Sequence, residues 1–406
     1  MRICVCTSYT APAEPRAPRH AVAAKMAFPD AEVVLVDLAP AGKHAAEDPA
    51  ILRMAEIKRH TIQFPTKHAH PMQLAIRKIR TLVAHVAFAQ VAVLRESVFG
   101  SRIQGLTLAL SRIEADVYFA HNIETLLPAV EAAKIHRGWV VFDCMEFYSD
   151  MGDGQLAVEA SAARTLEANY LPKCALVIAS SDVMADALAN EYGIVRPLPA
   201  YNVPAIVNEL PQRRGGGLNL YWRNSVIGFG QRGLDDVLQA LTMLPPDVGL
   251  HLQGRLPTSN AAELKKRIGQ LGLSDRVHVH SPYQPHEAVE QAAPYDIGLC
   301  LERRGPRNHE LTVSNKMFDY HMAGLAVIAT DLPALAEVIK RSNAGVVCQP
   351  HNPRSLADAI SRLHRSPELL SDLQRKARIF ALTHANLEIE IEKISNGLKA
   401  ALRVKT

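Results

Sequence analysis

The stretch that most constrains the fold of this chain lies between residues 296 and 333. Residues 296–302 (DIGLCLE) form a short apolar run of strand length, and residues 325–330 (LAVIAT) form a second. Unbroken apolar runs of this kind read as strands buried on both faces. Between them Ser314 is placed to cap a helix starting at Asn315, and Gly324 is placed to end it in the left-handed conformation that glycine adopts cheaply. Strand, helix and strand in that order make a crossover unit, which requires a parallel sheet covered by helices. Lys316 in the first helical turn adds a cation to the free N–H groups and the positive end of the helix dipole, a setting suited to a phosphate or diphosphate. Asp319 lies three residues on, on the same face, where a carboxylate can accept hydrogen bonds from a sugar diol. A plain surface ion pair between Lys316 and Asp319 is the other reading these two residues allow.

The same alternation of strand and helix runs through the chain. Residues 2–7 (RICVCT), 32–38 (EVVLVDL), 116–120 (DVYFA), 139–144 (WVVFDC) and 175–180 (ALVIAS) read as strands of a first domain, with helices over about 20–28 and 182–192. Pro197, Pro199, Pro204 and Pro211 mark a boundary. After it the strands of a second domain read at 218–226, 249–254 and 276–280, with a helix over 234–244 and a terminal helix over about 387–404. A length of 406 residues agrees with two domains. Asp116–Ala120 delivers His121 and Asn122 to a strand's carboxyl end, where open α/β sheets place their ligands. In the second domain Gly228, Phe229, Gly230, Gln231, Arg232 and Gly233 precede a helix. Small residues there let backbone approach a diphosphate, and Arg232 can neutralise its charge. Arg223 is a weaker third candidate beside Arg232 and Lys316, and Tyr283 follows the strand at 276–280 at its carboxyl end.

Three other features bear on partners. Cys4, Cys6, Cys144, Cys174, Cys300 and Cys348 lack metal-ligand spacing and read as free buried thiols. The Pro-rich loop 8–19 carries Arg16 and Arg19, for which solvated arginines are the simpler reading and an anion clamp the alternative. The bases Arg53, Lys58, Arg59, Lys67, Arg77, Lys78, Arg80, Arg95, Arg102 and Arg112 meet only Glu56 and Glu96 in the intervening sequence, a local basic surface for lipid headgroups or an anionic acceptor. Within it Leu74, Ile76, Ile79, Leu82, Val83 and Val86 recur at helical spacing. A stripe facing the core is the favoured reading, and a helix lying on a membrane the alternative. No helix-turn-helix, zinc-finger or RNA-binding pattern is present, so no nucleic-acid partner is expected. No apolar run reaches membrane-spanning length and the N-terminus has no signal-type apolar region, so a cytoplasmic chain is expected, with peripheral contact on the inner face of the membrane as the alternative.

Residues 313–331 (VSNKMFDYHMAGLAVIATD) resemble the donor-site signature of retaining GT-B glycosyltransferases of family 4, P-N-K-L-F-E-Y-M-A-A-G-x-P-V-I-A. Ser314 replaces Pro, Asp319 replaces Glu and Ala326 replaces Pro. HNIETLLPA, beginning at His121, is similar to the family's H-D-x-x-x-L-P-A, and residues 174–193 follow its A-D-x-V-I pattern. Met145 stands where the family has His in D-x-H-E, which leaves Asp143 and Glu146 as cleft-lining residues only. Glu310 resembles the first acid of the paired-Glu motif, nine residues before Asp319 where the family has eight.

The resemblance implies an α/β GT-B fold of two Rossmann-like domains facing across a cleft. The acceptor domain would span 1–200, the donor domain 201–385, and the helix 386–406 would cross back to the first. It implies transfer of a sugar from a nucleotide sugar, such as a UDP- or GDP-sugar, to a saccharide or lipid-linked saccharide acceptor. His121, Arg232 and Lys316 would be catalytic. Gly230, Arg232, Tyr283, Glu310, Ser314, Asn315, Lys316 and Asp319 would bind the donor. No cofactor or metal is expected, since no DxD motif is placed to hold one. A non-catalytic partner subunit and a nucleotide-sugar epimerase of the same fold are the alternatives.

Overall fold

The computed structural model describes residues 1–42, 48–87, 96–152, 154–230 and 232–403. Arg95, Gln231, Val404 and the part of the amphipathic stretch at 88–95 lie outside them. The chain divides into two units: Met1–Ala200 with Pro306–Asn308 and Glu390–Thr406, and Tyr201–Gly305 with His309–Ile389.

The first unit is built on a seven-stranded sheet of β1 (Arg2–Thr7), β2 (Glu32–Pro40), β3 (Lys58–Phe64), β4 (Val117–His121), β5 (Trp139–Cys144), β6 (Leu176–Ala179) and β7 (Leu198–Pro199). Their order is β3-β2-β1-β4-β5-β6-β7, with every pairing parallel. Winding reverses between β1 and β4, so a crevice opens at their carboxyl ends. The core packs Ile3, Val5, Leu35, Val117, Phe119, Val141 and Ile178 against Ala17, Ala21 and Ala24 of the helix Arg16–Ala27. Ile394, Leu398 and Leu402 of the final helix, Leu387–Arg403, belong to this same core.

The first helix begins at Arg16, four residues earlier than the sequence pattern suggests. The Glu14 carboxylate accepts hydrogen bonds from the N–H groups of Arg16 (2.8 Å) and Ala17 (2.9 Å), so a side chain caps the start. The helix Pro71–Ala87 departs further from expectation. Ala84 is its one buried residue, while Met72, Ile76, Ile79, Val83 and Val86 lie exposed along one stripe, at 46% to 83% of full accessibility. Leu82 beside them is also exposed, so the stripe does not face the core among the described residues. The basic surface is also smaller than the local sequence implies, because Asp37 and Asp48 from elsewhere in the chain pair with Arg59, and Glu124 pairs with Arg102.

The second unit holds β8 (Leu218–Val226), β9 (Val248–Arg255), β10 (Val277–His280), β11 (Ile297–Cys300), β12 (Ala326–Thr330) and β13 (Gly345–Cys348). The order β10-β9-β8-β11-β12-β13 is again parallel throughout, with its reversal between β8 and β11. Its core is Leu220, Trp222, Leu250, Leu252, Ile297, Leu299 and Ile328 under Val237, Leu238, Leu241, Ile360 and Leu363. All six cysteines are free thiols, and burial raises Cys4 and Cys300 to about 12. Among the described residues no helix is long and apolar enough to cross a membrane.

Candidate functional site

The helix Asn315–Met322 follows β11 through a loop and returns the chain to β12. Ser314 is its N-cap, but its hydroxyl makes no capping bond, contrary to the expected role; its carbonyl accepts from the Met317 N–H instead (3.0 Å). Gly324, at φ +74°, closes the helix as expected. Every residue from Lys316 to Met322 is buried. The seat exists because β11 carries Gly298 opposite Tyr320: a Cβ at Gly298 would lie 2.3 Å from the Tyr320 ring.

Lys316 is only 5% exposed, and its Nζ lies 3.1 Å from Oε1 of Glu302. Glu302 sits just past the carboxyl end of β11 and accepts a hydrogen bond from Arg232 Nη1 as well. Arg232 reaches it from the loop after β8, where the Trp222 indole N–H donates to the Arg232 carbonyl (2.9 Å) and fixes the loop. Gly233 then starts the helix Leu234–Leu241 at φ +69°, and a Cβ there would lie 2.7 Å from Leu301. Burial works to raise the Glu302 pKa, and the two cations outweigh it and hold the carboxyl below its ordinary value. Two basic side chains and one carboxylate thus converge beside two helix starts at the point where the strand order reverses.

A second cluster lies beside the first. Arg223 near the end of β8 donates to the Asp319 carboxylate and to the Tyr283 hydroxyl (2.6 Å), while its backbone N–H donates to the Tyr320 hydroxyl (3.3 Å). Burial favours the neutral form of this guanidinium, and Asp319 more than offsets it, so its pKa is raised. Asp319 and Tyr283 are therefore brought together by the candidate the sequence ranked third. Lys316 pairs with Glu302 and Asp319 with Arg223, and both Lys316 and Asp319 are buried, so a plain surface ion pair does not describe them. Gly230 adopts φ +103° and its N–H donates to Asp235 (3.1 Å). Asn315 is exposed at the helix start, and Glu310 lies in the helix Arg307–Leu311, 3.6 Å from Arg304.

In the first unit His121 ends β4 fully buried, not at an open surface. Its Nδ1 lies 3.1 Å from Asp143, which is also fully buried. Asp143 accepts two hydrogen bonds from Arg16, from Nε (2.8 Å) and Nη2 (2.6 Å). Arg16 also donates to the Ala200 carbonyl (3.0 Å), so the expected solvated loop arginine is an interior one. His20 stacks near Phe119 and lies 3.6 Å from Asp143; its burial lowers its pKa well below the ordinary value. Among the described residues His20, His121 and Asp143 are the trio close enough to share a metal. The guanidinium of Arg16 already takes both oxygens of Asp143, which opposes a second cation there. Glu146 accepts from the Asn308 amide (2.7 Å), whose oxygen in turn accepts from the Phe147 N–H.

Two parallel, doubly wound sheets with this cationic switch point define the GT-B class of fold. Residues 226–366, within the second unit, match the family described as Glycosyl transferases group 1. The GDP-mannose:cellobiosyl-diphosphopolyprenol alpha-mannosyltransferase of Xanthomonas campestris is 28% identical over 167 residues, which is 41% of this chain and 42% of that protein. The chain thus spans less than half the length of that relative. HepE of Anabaena, solved in complex with UDP and glucose, shares the fold with a TM-score of 0.69 at 16% identity, over 98% of this chain and 100% of that one. Sucrose-phosphate synthase of Thermosynechococcus elongatus does so with a TM-score of 0.70 at 11% identity, over the full length of both.

Proposed function

We propose that the chain is a glycosyltransferase that moves a sugar from a nucleoside diphosphate sugar to an acceptor hydroxyl, with retention of the anomeric configuration. The observation that carries this reading is the convergence of Arg232 and Lys316 at the switch point of a domain that matches the group 1 family. Arg232 and Lys316 would meet the charge that grows on the departing diphosphate, and Asp319 would hold the ribose diol once Arg223 yields it. Catalysis would then come from orientation and charge stabilisation, with no divalent metal required. The test is a panel of radiolabelled UDP- and GDP-sugars with and without EDTA. One donor is expected to be hydrolysed slowly or transferred, with the rate unchanged by chelation. Loss of the rate in EDTA would overturn the metal-free mechanism.

A non-catalytic subunit is the second reading, favoured by Met145 and by the internal pairing of both cations with Glu302. Absence of calorimetric binding with every donor in the panel would decide for it.

The acceptor we propose is a lipid-linked saccharide met at a membrane surface. The Xanthomonas relative is named for a polyprenol-linked acceptor. The exposed stripe of Met72, Ile76, Ile79, Val83 and Val86, flanked by the exposed Lys78 and Arg80, has the make-up of a helix that lies in an anionic interface. Cosedimentation with vesicles containing phosphatidylglycerol is expected, and Ile79→Glu with Val83→Glu is expected to reduce it at least about tenfold. Equal binding of the variant would sink the membrane role of this helix.

A further inference from the structure

Glu302 has no part in the mechanism above, yet it occupies the place between the two cations that the mechanism needs. It is 5% exposed, 3.1 Å from Lys316 Nζ and hydrogen-bonded to Arg232. Its backbone N–H donates to the Thr330 hydroxyl (3.0 Å), so the end of β11 is tied to the end of β12 and the carboxylate is aimed by two strands. Lys316 is as buried as Glu302, so an incoming diphosphate meets its ammonium with the carboxylate already beside it. Burying the Lys316 ammonium beside a half-exposed guanidinium without a counter-ion is costly, and Glu302 supplies one. With charges of +1, +1 and −1 the trio keeps a net +1, whereas a nucleoside diphosphate brings at least two negative charges to the same two cations.

We propose, resting on the donor reading above, that Glu302 is a resident competitor for the donor diphosphate, a carboxylate that holds Lys316 and Arg232 in position while the site is empty and gives them up to the ligand. The role has a consequence for turnover. An anion site with a free buried ammonium and a free guanidinium beside it would retain the nucleoside diphosphate product, because that product carries the same groups as the donor. A carboxylate able to return to the cations pushes the product out, so binding is weakened for donor and product alike and release is quickened. Glu302 is thus a residue that sets affinity and release, acting through Lys316 and Arg232 without needing to touch the sugar.

The experiment is calorimetric titration of UDP and GDP into the full-length protein, its Glu302→Gln variant and its Lys316→Ala variant, with stopped-flow displacement to time release. Glutamine keeps the shape and one acceptor oxygen but removes the competing charge. The expected result is diphosphate binding at least about tenfold tighter in Glu302→Gln, with release slowed by a similar factor. Lys316→Ala is expected to lose binding. Unfolding temperatures of both variants establish that folded protein is compared, and Glu302→Ala, which also removes the charge, is expected to bind more tightly than wild type. Binding by Glu302→Gln that is equal to or weaker than wild type, while Lys316→Ala loses it, overturns the competitor role and leaves the donor reading intact. No binding of either diphosphate by wild type or by Glu302→Gln overturns both.

Discussion

Lys316→Ala is expected to lower sugar transfer by about two to three orders of magnitude, the scale of removing one group aimed at charge that develops in a transition state. The variant leaves Glu302 facing Arg232 alone, so the net charge of the trio falls from +1 to zero just where the leaving diphosphate gathers negative charge. Lys316→Arg is not expected to rescue it. The ammonium occupies a nearly closed position, and a planar guanidinium needs more room and a different geometry. Steady-state kinetics with the donor found in the panel, together with an unfolding curve for each variant, provide the check. Activity within threefold of wild type in a folded Lys316→Ala would show that the cation on this helix does not act on the diphosphate.

The second large effect concerns stability. Asp143→Ala leaves the buried guanidinium of Arg16 without its carboxylate, a change that costs about 3 to 5 kcal/mol when one partner of a buried ion pair is removed. That is a large share of the stability of an ordinary domain, roughly 5 to 15 kcal/mol. The paired change Arg16→Met with Asp143→Leu removes both charges and is expected to cost less than Asp143→Ala alone. Trp139 lies in the first domain's sheet and Trp222 in the second's, and these are the two tryptophans of the chain. Urea unfolding followed by fluorescence in a Trp222→Phe background therefore reports the first domain's transition through Trp139. A midpoint for Asp143→Ala equal to that of the background protein would refute the interior charge pair as a source of stability.

The strands were legible because a parallel sheet covered on both faces leaves contiguous apolar runs, as in WVVFDC and DIGLCLE, and no periodicity has to be judged. The crossover around Lys316 was legible for a related reason, since its glycine and first-turn lysine act locally. What escaped was carried by contacts distant in sequence. Arg16 looked like a loop arginine because its carboxylate lies 127 residues away. Glu302 looked like the end of a strand, and the one signal that could have marked it was an acid directly following an apolar strand at the ligand-binding end of a sheet. The stripe in Pro71–Ala87 misled for another reason: helical spacing reveals that one face is apolar, but not whether the fold covers that face.

The placement of the helix Leu387–Arg403 has a consequence for the order in which the protein matures. Ile394, Leu398 and Leu402 complete the interior of the sheet whose first strand begins at Arg2, and the whole second sheet is encoded between them. During synthesis part of the first sheet's apolar surface therefore stays uncovered until the helix Leu387–Arg403 has left the ribosome, after every strand of the second sheet has been made.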